Sequence, residues 1–277
     1  MRFGGPVLKP YRDPDEWLAH VREMDYSAVY FPLNHTAPRD QIADYVTVIS
    51  NNALHIAEVG AWSNPLSPDA KTARQAFDLC CGQLELADRI GAGCCVNIAG
   101  SCSDQWDGPH ADNFRTETFV RIVDTVRRII DTVQPGRTFY TLELMPWMFP
   151  DSVDTYLDLI KAIDRPAFAV HLDPVNIICS PRVYYDNSLL IRDCFARLGP
   201  YIKSCHAKDI KLETTLTTHL NETRPGAGNL DYRTYLACLS KLPDSVSLMM
   251  EHMSRHDEVV QAASYIRQVA AGLGIRI

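Results

Sequence analysis

The sequence lacks any apolar run long enough to cross a membrane, and its opening residues, MRFGGPVLKPYRDPDEW, hold no run of signal-peptide length. These absences predict a cytoplasmic protein with no membrane association. No C-x-x-C spacing occurs among the nine cysteines, so zinc-finger and thioredoxin readings lack their signature. Four of the nine stand as adjacent pairs, Cys80-Cys81 and Cys94-Cys95, poorly placed to bridge each other. Reduced thiols used as small apolar filler are expected. Positive charge is short as well. Lys plus Arg is 27 against 34 for Asp plus Glu, a net charge of −7, which suits no phosphate backbone and predicts no nucleic-acid partner. No Gly-rich phosphate loop follows the first strand-like run, and no nicotinamide fingerprint or nucleophilic Ser or Cys motif is present. There is no Pro/Ser/Gly-rich linker, no repeat of fixed period and no low-complexity stretch. One domain over residues 1–277 is therefore expected, and nothing in the sequence opposes a homo-oligomer.

What the chain does have is 277 residues, 46% of them hydrophobic, ample for a sizeable core. Eight strand-like runs recur: Arg2–Gly4, Ala28–Leu33, His55–Trp62, Cys94–Ala99, Phe139–Met145, Phe168–Asp173, Ile202–Lys208 and Ser247–Met253. Helical patterns alternate with them over Asp13–Met24, Arg39–Asn51, Pro68–Ile90, Asn113–Val133, Asp151–Ile163, Asn187–Leu198, Asp231–Leu239 and Asp257–Ala271. Strict alternation calls for parallel strands joined by helical crossovers. Runs such as Ala28-Val29-Tyr30-Phe31 are apolar throughout, as strands buried on both faces must be. About 35 residues per unit fits an α/β fold of the single (β/α)8 barrel type. A doubly wound open sheet matches the pattern nearly as well but expects the missing Gly-rich loop.

In such a barrel, chemistry sits at the C-terminal ends of the strands. The fifth run, FYTLELMP, carries Glu143. The sixth, FAVHLDPVN, carries His171 and Asp173. The seventh, IKSCHAKDIK, carries His206, Lys208 and Asp209, and the eighth, SLMMEHMS, carries Glu251 and His252. Side chains alternate along a strand, so Glu143, Asp173, His206 and Glu251 share the lumen side while their apolar neighbours face the helices. Three carboxylates and an imidazole on consecutive strands would repel or stay protonated unless a cation lay between them. The reading is one divalent ion on Glu143, Asp173, His206 and Glu251. Three oxygens and one nitrogen suit Mn²⁺ first, with Mg²⁺ or Co²⁺ as alternatives. The plainer alternative is that some of the four only pair with bases such as Lys208.

In this region the chain resembles the xylose isomerase-like TIM barrel superfamily of sugar isomerases and epimerases. The resemblance rests on LELMP, HLDPVN, SCHAKD and MMEHM, in that order, and on RPGAGNLDY with Pro225, Gly226, Gly228 and Asp231. It covers nearly the whole chain. It implies a metal-dependent enzyme that removes a proton beside a carbonyl of a keto sugar or polyol, with Glu143 and Glu251 as the acid–base pair. Lys208, two residues past His206, is expected to polarise or protonate a substrate oxygen. Two positions depart from the pattern of the family's epimerases: Asn176 stands where they have a His, and Leu212, beside Lys211, where they have an Arg. Asn176, Arg224, His35 and Trp147 are the expected substrate contacts, with His171 as support behind the metal. Asp209 is expected to face the helices, and His252 to point outward. The same proton abstraction supports elimination, so a lyase or dehydratase, as in inosose dehydratases or C-glycoside deglycosidases, is the runner-up. A non-catalytic sugar-binding barrel is a further alternative. An apurinic endonuclease is remote, because the third and fourth strand ends offer Glu58 and Asn97 where more histidines are needed.

Overall fold

The computed structural model describes all residues, Met1–Ile277. Eight parallel strands form one sheet that curls into a nearly closed barrel. They are β1 (Arg2–Gly4), β2 (Ala28–Tyr30), β3 (His55–Gly60), β4 (Cys94–Asn97), β5 (Tyr140–Glu143), β6 (Phe168–Leu172), β7 (Ile202–Ala207) and β10 (Ser247–Met250). The order is β1-β10-β7-β6-β5-β4-β3-β2, and every pairing within it is parallel. Between the end strands β1 and β2, the Ser27 amide donates to the Phe3 carbonyl at 2.9 Å. A Cβ at Gly4 would lie 2.1 Å from the Ala28 carbonyl oxygen, so only glycine lets these two strands meet.

Helices wrap the outside: α1 (Pro14–Glu23), α2 (Arg39–Asn51), α3 (Ala70–Ile90), α4 (Thr116–Val133), α5 (Val153–Ile163), α6 (Pro181–Tyr185), α7 (Asn187–Leu198), α8 (Tyr232–Leu239) and α9 (His256–Gly272). Their starts are legible in the chain. Asp13, Asp69, Ser152 and Asp231 each accept a backbone N–H of the first turn of α1, α3, α5 and α8. Apolar stripes such as Ile122, Val126, Ile129 and Ile130 of α4 pack inward, and one apolar cluster joins strands to helices around the ring. All nine cysteines are unpaired, five of them buried. No helix is long and apolar enough to cross a membrane.

After β7 the chain forms an antiparallel hairpin outside the barrel sheet, β8 (Asp209–Leu212) with β9 (Leu220–Thr223). Its base explains the RPGAGNLDY segment. Asp209 faces away from the lumen and accepts backbone N–H groups of Ile210 (2.8 Å), Gly226 (2.9 Å) and Leu230 (2.8 Å). Gly226 has φ +84°, and a Cβ at Gly228 would lie 2.3 Å from both Asp209 Oδ1 and the Ile210 carbonyl oxygen. Asp231 then caps α8 through the Thr234 amide. The motif is thus an anion cradle that fixes the hairpin to the barrel. Gly228→Ala is expected to cost about 2 kcal/mol, seen as a Tm lower by roughly 5 °C. An unchanged Tm would show that the cradle can open at no cost.

Candidate metal centre and active site

The ends of β5, β6, β7 and β10 converge on one point. Register explains why. Glu143 pairs with His171, one alternation before Asp173, and Met249 pairs with His206. Lumen-facing residues of neighbouring strands therefore stack in layers. Ligand atoms of Glu143, Asp173, His206 and Glu251 all lie within 4.8 Å of one another. His206 Nδ1 is 2.8 Å from Glu251 Oε2, 3.2 Å from Glu143 Oε1 and 4.0 Å from Asp173 Oδ2. Two tyrosines of α8 hold β7 from behind: Tyr235 OH donates to the His206 carbonyl at 2.7 Å and Tyr232 OH to the Lys208 carbonyl at 2.9 Å.

One layer deeper, Glu58 of β3 closes the barrel floor. Its Oε1 lies 3.1 Å from His171 Nε2 and also accepts from the Ser204 hydroxyl, while its Oε2 lies 3.4 Å from His206 Nε2. Glu58 therefore meets the His206 nitrogen opposite the one that faces the three carboxylates. Such a partner orients an imidazole and leaves Nδ1 free to bind. The His171 and His206 rings pack edge to face, centroids 4.0 Å apart. Glu58, a fourth carboxylate, is recognisable in the sequence only as the ionisable residue in the middle of an apolar third strand.

Above the carboxylates sits Lys208, almost wholly buried. Its Nζ is 2.9 Å from Asp173 Oδ2, 2.8 Å from Glu251 Oε1 and 3.6 Å from Glu222 Oε2. The ion pairing expected as the plainer alternative is therefore real for Asp173 and Glu251. It reaches only one oxygen of each, Asp173 Oδ2 and Glu251 Oε1, and at an angle too poor for a hydrogen bond. A cation with several coordination positions fits such a set; one ammonium does not. The charges behave accordingly. Burial opposes ionisation of Glu251, but His206 and Lys208 outweigh it and hold its pKa well below the carboxylate range. At Asp173 burial wins, helped by Glu143 and Glu251 against Lys208, and the pKa rises well above normal. Burial disfavours charge on His206 too, yet Glu251, Tyr30, Glu143 and Glu58 hold its pKa well above the usual imidazole value.

The other expected residues divide. Asn176 enters the site, its Nδ2 donating to Glu143 Oε1 at 3.1 Å and to the Leu144 carbonyl at 2.9 Å. Trp147 lines the same cavity, and His171 sits beneath it. His35 does not. Its amide and ring Nδ1 bind Gln83 Oε1, at 2.7 and 3.1 Å, and the ring packs on Gly82 of α3, so Asn34 faces the cavity instead. Arg224 also lies outside the lining. It follows the last residue of β9, and its Nη1 turns back to the Pro225 carbonyl. The hairpin delivers Glu222 to the cavity in its place, while Lys211 pairs with Glu213 on the surface. His252, expected to point outward, reaches the cavity mouth. β10 ends at Met250, so alternation no longer applies, and a left-handed backbone at φ +55° turns the ring toward Glu222 (2.8 Å) and Glu251 (3.5 Å).

The family's sequence profile, xylose isomerase-like TIM barrel, matches residues 18–269. The chain belongs to that family. No curated protein matches it. Solved structures of this fold resemble it at low identity. D-psicose 3-epimerase from Clostridium cellulolyticum H10, solved with D-tagatose, has a TM-score of 0.73 at 14% identity, covering 100% of both chains. The probable 3-DHS dehydratase AsbF from Bacillus anthracis has a TM-score of 0.73 at 14% identity, covering 98% of this chain and 99% of its own. A xylose isomerase-like TIM barrel protein from Mycobacterium smegmatis, in complex with magnesium, has a TM-score of 0.68 at 15% identity, covering 94% and 90%. Within this xylose isomerase-like barrel, the hairpin-borne Glu222 and the positive-φ His252 stand beside the four converging donors.

Proposed function

We propose that the protein is a divalent-metal-dependent isomerase or epimerase that removes a proton beside a carbonyl of a keto sugar or polyol. The observation that carries this reading is the pair Glu143 and Glu251, which approach His206 Nδ1 from two strands at the base of an open cavity. Glu143, Asp173, His206 and Glu251 would hold the ion, Mn²⁺ first and Mg²⁺ next. Once bound, it supplies Lewis-acid stabilisation of negative charge on the substrate's carbonyl oxygen. One carboxylate of the pair takes the proton from the carbon next to that carbonyl, and the other returns a proton to the opposite face. Asn176 holds the Glu143 carboxylate in place, and Lys208 donates a hydrogen bond to the oxygen where charge develops.

A second reading, elimination by the same proton abstraction, draws on Glu222 and His252. Both line the mouth, where an extra proton donor would serve a departing oxygen. Turnover of a panel of ketoses, inososes and keto-glycosides in D₂O with Mn²⁺ tests both. Deuterium is expected at the carbon beside the carbonyl, with an epimer or isomer under the first reading and an unsaturated product under the second. Product free of deuterium at that carbon would mean hydride shift, and Glu143 and Glu251 would then be ligands only.

A further inference from the structure

We infer that the substrate carries, away from its reacting carbons, an uncharged apolar or aromatic group, as in an aryl glycoside, and that Trp62, Trp106 and Trp147 form its subsite. This deepens the metal-dependent reading above and rests on it. The chain has four tryptophans. Trp17 is buried in the core against Tyr45. The other three are 42%, 42% and 37% exposed, and all three line the one cavity above the carboxylates. Large aromatic surfaces left open to water around a single concavity are unfavourable unless something covers them.

Two of these indoles, Trp62 and Trp147, are held in place before any ligand arrives. A Cβ at Gly60 would lie 2.5 Å from Trp62 Nε1, so the indole rests on bare backbone. Trp147 Nε1 donates to the Asp107 carbonyl at 2.6 Å, which ties the Trp106 loop to the end of β5. Asn113 Nδ2 in turn donates to the Trp147 carbonyl at 3.0 Å. The Trp62 ring lies 6.3 Å from the His206 ring, so the aromatic wall runs directly into the proposed metal centre. Aromatic faces held this way bind flat apolar groups and the C–H faces of sugar rings.

Size and charge narrow the ligand. The cavity measures about 750 Å³. That lies in the upper part of the roughly 300–1,000 Å³ range of pockets that enclose drug-sized ligands. No arginine lines it; its only lysine, Lys208, is already paired with Asp173 and Glu251, and the mouth imidazole His252 with Glu222. Asp107, Glu143, Glu222 and Glu251 all face it. A phosphate or carboxylate on the distal group would meet these charges with no free cation to receive it.

The test compares phenyl β-D-glucopyranoside, methyl β-D-glucopyranoside and glucose 6-phosphate as ligands of the Mn²⁺-loaded full chain, by calorimetry and tryptophan fluorescence. The phenyl glycoside is expected to bind at least tenfold tighter than the methyl one, and the phosphate not to bind measurably. Trp106→Ala and Trp147→Ala are each expected to cut the phenyl preference below threefold, while Trp147→Phe keeps most of it. Equal affinity for the two glycosides, or a preference that survives both alanine variants, would overturn the subsite. Metal content is read on the same samples, and solvent deuterium exchange on the ketose panel above with the same preparations. Full metal and exchange without phenyl preference sinks the subsite alone, whereas failure to take up metal sinks the reading beneath it.

Discussion

Purified Glu143→Gln and His206→Ala are each expected to bind divalent metal at least about a hundredfold more weakly than the unaltered protein. At sub-micromolar supply they should carry none, and turnover should vanish with the ion. The reason is the donor count. Only four side chains converge, so loss of one carboxylate charge or the single imidazole removes a quarter of the set. Glutamine keeps the shape of Glu143 and its contact with Asn176, so metal loss from that variant reports charge, not collapse. His206→Ala also leaves Glu58 facing a void, and an unfolding curve should accompany it. Full metal occupancy in either variant, measured by elemental analysis, would remove that residue from the ligand set.

Lys208→Met is expected to give the opposite split. Metal should stay, and kcat should fall by at least about a hundredfold with little change in KM. Methionine fills similar volume without a charge, and the Tyr232 bond to the backbone of residue 208 is unaffected. The expectation treats the ammonium as the donor to the substrate oxygen. Its contacts with Asp173 and Glu251 set up the rival: if Lys208 serves mainly to balance carboxylate charge, the variant should lose or weaken metal binding. Loss of metal together with kcat would refute the catalytic role.

Much of this molecule is legible in its sequence because two periodicities carry it. All eight strand runs become barrel strands, and α2 and α7 have the limits expected for them, since apolar periodicity acts locally. Glu143 and His206 have the expected parity inside β5 and β7, and Asp173 and Glu251, one residue past the ends of β6 and β10, still reach the same point. The misses lie where the backbone leaves those patterns. His252 follows the last residue of β10 and takes a positive φ. His35 and Arg224 stand in connecting segments, where orientation depends on Gln83 of α3 and on the hairpin base. The β8–β9 hairpin was hidden because its strands are short and partly polar, and Glu222 was hidden with it. Glu58 shows the other limit. It has lumen parity and an apolar strand around it, yet only the folded chain shows that its partners are His171 and His206, more than a hundred residues away.

Two clusters share His206: Glu143, Asp173, His206 and Glu251 on one side, and Glu58, His171 and His206 on the other. Anomalous diffraction at the manganese edge, from crystals grown with Mn²⁺, separates them. The expected result is a single peak per chain, touched by Glu143, Asp173, Glu251 and His206 Nδ1, with Glu58 still on Nε2. No peak, or a peak among Glu58, His171 and His206, would contradict the proposed metal centre.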